Sequence, residues 1–397
     1  MKTYKNLLGM ALLAFLLGAA CSENEPDDVP ELPEEPELPV DPYDTASIGW
    51  ALENIMNYIP SWQELEKYTD TAQFLALPDF TKRAGNYAEE VGNPYGDDYV
   101  GGLLADLGSI FTFFGANESA VDFNDMPPFY QVNETFVVPY PLDRLDQKLR
   151  ASVVLHLFEK SKGLPTKMVN FYPPFAEWGD FATKAEFDTW FETKFLPEKE
   201  AEARAAELMK AERFIPWPLE LEVLVYKVGG VGNGGFLDGA SPEDILAFAN
   251  EVKTRVFNTV RPLYSGKLVA HVHNNYFNRP ESHFWNQMSY AEFDEIHFAF
   301  FPPFDPETTA AYMDEQLTNY MKVLQNSGNL PWVAAEVSVF EWYVQDGMLP
   351  TFEKDMYEVA FNKLDAAPIP PRGLESPAGY MRTEAARNLL REYYASH

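Results

Sequence analysis

The segment FIPWPLELEV, residues 214–223, carries two glutamates, Glu220 and Glu222, inside an otherwise apolar run. Alternate residues of an extended strand point to opposite sides, so these two carboxyl groups share one face. The residues of the opposite face are all apolar: Ile215, Trp217, Leu219 and Leu221. Because an unpaired buried carboxylate is costly, we predict a strand whose apolar side packs against helices and whose glutamates point inward.

The rest of the chain alternates short apolar strands with amphipathic helices, a pattern typical of α/β proteins with parallel strands. The segments that predict strands are 46–52, 117–123, 166–172, 213–222, 267–273, 295–301, 331–338 and 371–375. Helices are predicted at about 183–211, from Ser241 onward, at about 306–328 and at the C-terminus. Eight strands in such an alternation predict an α/β fold, a (β/α)8 TIM barrel, with 53–110 as an N-terminal elaboration over one barrel face.

A second isolated acid, Glu336, lies in the apolar strand segment PWVAAEVS, residues 331–338. The alternation places Val333, Ala335 and Val337 on the outer side and Glu336 on the inner side. Glu220 and Glu336 would then both lie near C-terminal strand ends, where barrel enzymes place their chemistry. Two such carboxylates suit glycoside hydrolysis, in which one protonates the leaving oxygen and the other attacks the sugar. The alternative is that they form structural hydrogen bonds or salt bridges.

The overall charge narrows the class of partner. The 397 residues include 61 acidic and 30 basic ones, for a formal net charge of −31. Such a surface disfavours nucleic acid and anionic membranes as electrostatic partners. The charge suits a neutral or cationic partner, or simply solubility.

The N-terminus predicts export. Residues 1–20 combine Lys2 and Lys5 with an apolar run, as in a secretory signal peptide. Cys21, the only cysteine, directly follows LLGAA, which resembles a bacterial lipobox. This resemblance implies cleavage before Cys21 and lipidation of its thiol; an ordinary signal peptide with an incidental cysteine is the alternative.

The next segment, 21–44, is acidic and rich in proline that recurs every third residue, the period of polyproline II. We predict that it is an extended linker between a lipid anchor and a globular domain at 45–397. Its acids just after Cys21 resemble the surface-export signal of Bacteroidetes lipoproteins. The resemblance implies a lipid anchor in the bacterial outer membrane and a place at the cell surface.

Four further segments resemble clan A glycoside hydrolases, and within that clan the β-mannanase-like family 113. They are FFGANESAVDF (113–123), KSKGLPTKMVNFYP (160–173), FWNQMSYAEFDEIHFAFFPPF (284–304) and LPWVAAEVSVFEW (330–342). The resemblance implies a retaining (β/α)8 hydrolase that needs no cofactor and acts on a β-mannan-like polysaccharide or oligosaccharide. It also implies that Glu220, on the fourth strand, is the acid/base and that Glu336, on the seventh, is the nucleophile.

Two positions depart from the pattern of the clan. The clan usually has Asn before the acid/base, where this chain has Leu219, and often a Tyr on the sixth strand, where this chain reads FAFFPP (298–303). These departures favour the alternative function, a non-catalytic, glycan-binding surface lipoprotein on a degenerate barrel. They also leave the choice between Glu220 and Glu222 open, although Glu220 matches the clan frame NEL as LEL.

The segment HVHNNY, residues 271–276, places His271 and His273 on one strand face. We predict that both, with Asn274, contact sugar hydroxyls, and that Glu222 and the two histidines bind substrate or tune the pKa of Glu220. A His-x-His pair that binds zinc and a polar network in the core are the alternatives. Aromatic residues near strand ends are predicted to stack on sugar rings: Tyr172, Trp178, Tyr276, Trp285, Phe304 and Trp342.

Overall fold

A computed structural model describes the chain from residue 61 onward, with gaps. The described residues are 61–69, 74–83, 113–117, 119–122, 149–150, 153–154, 156–157, 160, 166–170, 181–216, 228–232, 234–272, 285–302, 306–338, 352–376, 381 and 383–397. The predicted signal peptide, the predicted lipidation site at Cys21 and the predicted linker lie outside these residues.

Eight parallel strands form the centre of the fold. They are β1 Thr81–Arg83, β2 Ser119–Asp122, β3 Thr166–Asn170, β4 Arg213–Ile215, β5 Lys267–Val272, β6 Glu295–Ala299, β7 Trp332–Ala335 and β8 Gly373–Glu375. Their order is β1-β8-β7-β6-β5-β4-β3-β2, and every pairing is parallel. Parallel strands that are neighbours both in sequence and in space define the predicted (β/α)8 fold, which is confirmed.

Seven of the eight predicted strand positions overlap the observed strands, and the first is wrong. The first barrel strand is Thr81–Arg83 rather than 46–52, which lies outside the described residues. The sequence of β1 is TKR, which lacks the apolar residues that predict a buried strand. The reason is that Arg83 points into the barrel, where it forms a buried ion pair with Glu375 of β8.

The sheet curls on itself into a barrel. The guanidinium of Arg213 donates a 3.2 Å hydrogen bond to Thr81 Oγ1, which links β4 to β1. Four strands separate β4 from β1 in the sheet order, so a flat sheet would hold them about 24 Å apart. At the other edge, Asn117 before β2 donates from its backbone N–H to Lys82 O at 3.0 Å and accepts from Lys82 N at 2.9 Å.

Helices cover the outside of the strands. They are α1 Trp62–Thr69, α2 Lys184–Trp190, α3 Leu196–Met209, α4 Pro242–Val260, α5 Pro306–Asn326, α6 Glu353–Asp365 and α7 Glu384–Ser396, with a π-helical turn, Phe191–Phe195, between α2 and α3. The predicted start of α4 is confirmed, because the side chain of Ser241 accepts a 3.2 Å hydrogen bond from the backbone of Asp244. No described helix has both the length and the apolar character needed to cross a membrane.

The packing between sheet and helices fixes which strand residues point outward. The ring of Phe298 on β6 stacks on Tyr320 of α5 at 4.1 Å, and the Tyr320 hydroxyl donates to Ala299 O at 2.6 Å. On β4, Phe214 lies edge-on to Tyr264, which follows α4, at 5.5 Å. Phe214 and Phe298 therefore belong to the core between the sheet and the helices.

Candidate active site

The register of the sheet shows which side chains enter the barrel. Phe298 points outward, so Glu295 and His297, which alternate with it on β6, point inward. His271 on β5 is the register partner of His297 and therefore shares its face. His271 thus faces the barrel interior, as the alternation of β5 predicts.

A set of charged and polar side chains fills much of this interior. We call it the interior cluster; its members are Thr81, Arg83, Arg213, Glu295, His297 and Glu375, all buried. Arg213 Nε donates to Glu295 Oε1 at 2.7 Å, and His297 Nε2 lies 2.8 Å from the same oxygen. With the Arg83–Glu375 ion pair, each buried carboxylate of the interior cluster has a cationic partner, which is what permits burial.

The titration of the interior cluster follows from these contacts. Burial alone would raise the pKa of Glu295, but the hydrogen bond from His297 and the charge of Arg213 outweigh it and hold that pKa well below its ordinary value. Burial lowers the pKa of His297, against the opposing effect of Glu295. At neutral pH, Glu295 is therefore ionised and His297 is neutral.

Glu336 directly follows β7 and has an unusual backbone. Its φ is +51°, in the left-handed region that non-glycine residues seldom adopt. The predicted orientation of β7 is wrong, because Val333 and Ala335 pair with His297 and Ala299 and so face the interior. A regular continuation would turn Glu336 outward; the left-handed residue reverses the alternation and brings its carboxyl group into the barrel mouth.

Hydrogen bonds on both sides fix the chain just after Glu336. The backbone N–H of Val337 donates to Glu375 O of β8 at 3.0 Å, and that of Ser338 donates to Phe300 O after β6 at 3.1 Å. The hydroxyl of Ser376 donates to Val337 O at 2.9 Å. The two neighbouring strands thus impose the left-handed conformation, the situation in which local strain is maintained at functional sites.

The carboxylate of Glu336 faces His271 across the mouth. His271 Nε2 lies 3.8 Å from Glu336 Oε1, within ion-pair range but too long for a hydrogen bond. The His271 side chain is 3% exposed and that of Glu336 is 12% exposed. We call these two residues the mouth pair; its carboxylate has a route to solvent.

The orientation predicted for the fourth strand is wrong at Phe214. Arg213 reaches into the interior cluster, whereas Phe214 packs outward against Tyr264. The alternation that points Glu220 and Glu222 inward would point Phe214 inward as well. Both glutamates lie outside the described residues, since β4 ends at Ile215, and their role as acid/base stays a prediction.

The other predicted binding residues fall into two groups. Trp285 is 6% exposed, and its ring lies edge-on to Tyr320 at 5.3 Å, which favours a packing role over a sugar platform. The remaining ones lie outside the described residues: Tyr172, Trp178, His273, Asn274, Tyr276, Phe304 and Trp342. The structure therefore brings together His271 and Glu336 of the predicted set.

Sequence reasoning missed most of the interior cluster. Arg213 and Glu295 begin apolar strands, and such first residues read as solvent-exposed ends of a segment. The Glu295-x-His297 spacing was the available signal, because two polar residues at period two inside an apolar run share one strand face. Among the described residues, no three His, Cys, Asp or Glu side chains are grouped so as to hold a metal ion.

No protein-family model matches the chain, and no curated protein matches it. Among solved structures, the chain is similar to a GH113 β-1,4-mannanase (TM-score 0.49, 15% identity, covering 82% of this chain and 100% of that one). It is also similar to endo-glycoceramidase II from Rhodococcus sp. (TM-score 0.49, 12% identity, 81% of each chain). A third is the hyperthermophilic β-glucosidase from Pyrococcus furiosus (TM-score 0.45, 12% identity, 74% of this chain and 84% of that one). At such low identity and TM-score, these likenesses carry no argument about substrate or reaction.

Proposed function

We propose that this protein is a retaining glycoside hydrolase in which Glu336 is the nucleophile and Glu220 is the acid/base. The observation that carries the proposal is the left-handed backbone of Glu336, which turns a partly exposed carboxylate into the mouth of a (β/α)8 barrel. The C-terminal ends of the strands are where such barrels place catalytic groups. Strained backbone conformations cluster at active sites, so the conformation of Glu336 supports a role in the chemistry.

The reaction needs two carboxyl groups in different protonation states. Glu336, ionised, attacks the anomeric carbon while the protonated acid gives its proton to the departing oxygen, leaving a sugar bound to Glu336 as an ester. Water then attacks the same carbon, the acid/base takes one of its protons, and Glu336 leaves as a carboxylate. Two displacements at one carbon retain the anomeric configuration.

The interior cluster supports the distinction between Glu336 and the other buried acids. Glu295 and Glu375 each form a direct ion pair with an arginine inside the barrel. A carboxylate so engaged cannot approach a sugar carbon without breaking its pair. Glu336 differs from them, because it contacts a histidine at 3.8 Å rather than an arginine and its side chain is 12% exposed at the barrel mouth.

Substrate class and location rest on sequence resemblance. The segments 113–123 and 330–342 support a β-mannan-like polysaccharide or oligosaccharide, and the N-terminal 44 residues support a lipid anchor at the outer face of a bacterial outer membrane. An acidic protein surface suits an uncharged glycan at that place.

The test is a hydrolysis screen of soluble polysaccharides with the wild type, Glu336→Gln and a control, Glu358→Gln. The polymers are galactomannan, glucomannan, carboxymethyl cellulose and xylan, followed by reducing-end assay and by NMR of the newly formed anomer. Glu358 is an exposed residue of α6 paired with Lys354, so its variant matches the chemical change far from the mouth. We expect the wild type and Glu358→Gln to hydrolyse one polymer with retention and Glu336→Gln to lose turnover.

Two results would contradict the proposal. Equal hydrolysis by the wild type and Glu336→Gln would remove Glu336 from the mechanism. Tight binding of a polymer by the wild type without hydrolysis would support the alternative function, a non-catalytic glycan-binding lipoprotein on this barrel.

A further inference from the structure

We propose that His271 is a positioning residue for Glu336, holding its carboxylate ionised and aimed across the mouth, rather than a contact for sugar hydroxyls. The inference rests on the proposed function, since it assigns a role around the nucleophile of that reaction. It rests on geometry: His271 Nε2 faces Glu336 Oε1 at 3.8 Å, and the imidazole is 3% exposed.

The burial of His271 argues against a sugar contact. A ring with so little exposed surface presents almost no polar atom to a ligand in the mouth, whereas its Nε2 already points at a carboxylate oxygen. β6 lies between β5 and β7 in the sheet, so the contact spans two strand spacings across the inner curve of the barrel. The left-handed turn at Glu336 is what brings its carboxylate to His271.

Two titratable side chains of the described residues face His271 from the neighbouring strands. Glu336 faces it from β7 and His297 faces it from β6, where the two histidines are register partners. His297 is neutral, because burial lowers its pKa, and its Nε2 is directed at Glu295 rather than at His271. Among the described residues, the other charged groups of the barrel interior form two ion pairs, Arg213–Glu295 and Arg83–Glu375.

An imidazolium at this distance stabilises the ionised form of the carboxylate. Removal of His271 should therefore make Glu336 harder to ionise and remove a contact that orients its side chain. The first effect moves the acidic limb of the pH–activity profile to higher pH, and the second lowers turnover without weakening substrate binding.

The first experiment requires no turnover. The six histidines are labelled with 13C at Cε1 in the full protein, the His271 signal is assigned with His271→Asn, and its titration is followed in the wild type and in Glu336→Gln. We expect the midpoint of the His271 titration to fall by about 1 pH unit in Glu336→Gln, because an opposite charge is removed from beside the ring. The signal of His397, whose ring contacts Asp365 rather than Glu336, is the reference that should not move. An unmoved His271 midpoint would overturn the proposal.

The second experiment uses kinetics on the polymer that the wild type hydrolyses. For His271→Asn we expect kcat to fall by about 10²-fold with KM nearly unchanged, and the acidic limb of kcat/KM to rise by about 1 pH unit. His271→Gln, whose amide nitrogen can stand near the position of Nε2, should recover part of kcat. A raised KM with the acidic limb in place would show a sugar contact and overturn the proposal.

The two experiments separate this inference from the proposed function. A wild type that hydrolyses no polymer, with a His271 titration that still responds to Glu336→Gln, would contradict the hydrolase and keep the mouth pair. An active enzyme whose His271 titration ignores Glu336→Gln would keep the hydrolase and contradict the pair.

Discussion

The barrel holds acidic side chains in two settings, the interior cluster and the mouth pair. In the interior cluster, Glu295 accepts from Arg213 at 2.7 Å and has His297 at 2.8 Å. In the mouth pair, Glu336 has a histidine at 3.8 Å and sits on a left-handed residue. The two settings lie within one barrel, yet the first consists of short ion pairs on regular strands and the second of a longer contact beside a left-handed residue.

The difference shows how a structural carboxylate can be told from a candidate catalytic one. Burial and an ionisable partner are common to both, so neither property identifies chemistry. What separates them is that the interior cluster satisfies its charges in place, which serves the fold. The mouth pair places a partly exposed carboxylate on a left-handed residue, a backbone conformation that clusters at functional sites.

The largest expected effect on stability is the loss of Glu295. Glu295→Gln leaves the Arg213 guanidinium buried without its counter-charge, and we expect the free energy of unfolding to fall by about 3–5 kcal/mol in urea titrations. The double variant Arg213→Met/Glu295→Leu removes both charges and should recover at least half of that loss. A loss below about 1 kcal/mol in Glu295→Gln would show that the interior cluster is not the compensated network described above.

The same carboxylate should make the protein sensitive to acid. The pKa of Glu295 is lower in the folded protein than its ordinary value of 4.5, so its stabilising contribution is present above that value and is lost as the pH falls toward the folded pKa. We expect the free energy of unfolding of the wild type to decline below about pH 4.5, and less steeply in Glu295→Gln. Parallel declines in the two proteins would contradict the assignment.

At position 336, glycine should stabilise the protein more than alanine does, which is the reverse of their order in a helix. A left-handed backbone costs an L-residue with a β-carbon about 1–2 kcal/mol, and glycine escapes this cost. We expect Glu336→Gly to be more stable than Glu336→Ala by about 1 kcal/mol, measured by urea unfolding. The matched pair at the helical, exposed Glu358 should have the ordinary order, with alanine about 1 kcal/mol more stable than glycine. The same order at both positions would argue against strain at Glu336.

The smallest expected effect is that of replacing Lys267, an exposed partner of the buried Glu295. Lys267 Nζ lies 3.7 Å from Glu295 Oε2, but its side chain is 43% exposed. We expect Lys267→Met to change the free energy of unfolding by less than about 1 kcal/mol, because solvent screens exposed ion pairs. A change as large as that of Glu295→Gln would move Lys267 into the interior cluster.

The sequence predicted the barrel well because the fold depends on patterns that recur along the chain. Seven strands overlap their predicted positions, and the start of α4 was predicted from Ser241 and Pro242 at its N-terminus. The first strand escaped prediction because β1 consists of Thr81, Lys82 and Arg83, whose charge is compensated only by distant Glu375. Such compensation is tertiary and leaves no local pattern.

The site was harder to predict, since its orientation depends on backbone detail. An apolar strand face does not by itself identify the helix side, because the barrel interior also accepts apolar residues such as Val333 and Ala335. On β4 the same assumption reversed Phe214. The sequence places Glu336 at the correct strand end. Its inward direction comes from its own left-handed backbone, which the sequence does not reveal, because glycine or asparagine usually marks a left-handed position.

The most direct test of the central claim is to trap the sugar on Glu336. The protein is incubated with 2-deoxy-2-fluoro-β-mannosyl fluoride and, separately, its glucosyl analogue, then digested and analysed by tandem mass spectrometry. We predict a stoichiometric fluoroglycosyl adduct on the peptide that contains Glu336, located on that carboxylate, and its absence in Glu336→Gln. An adduct on another carboxylate, or hydrolysis of a polymer with inversion at the anomeric carbon, would contradict the assignment of Glu336 as the nucleophile.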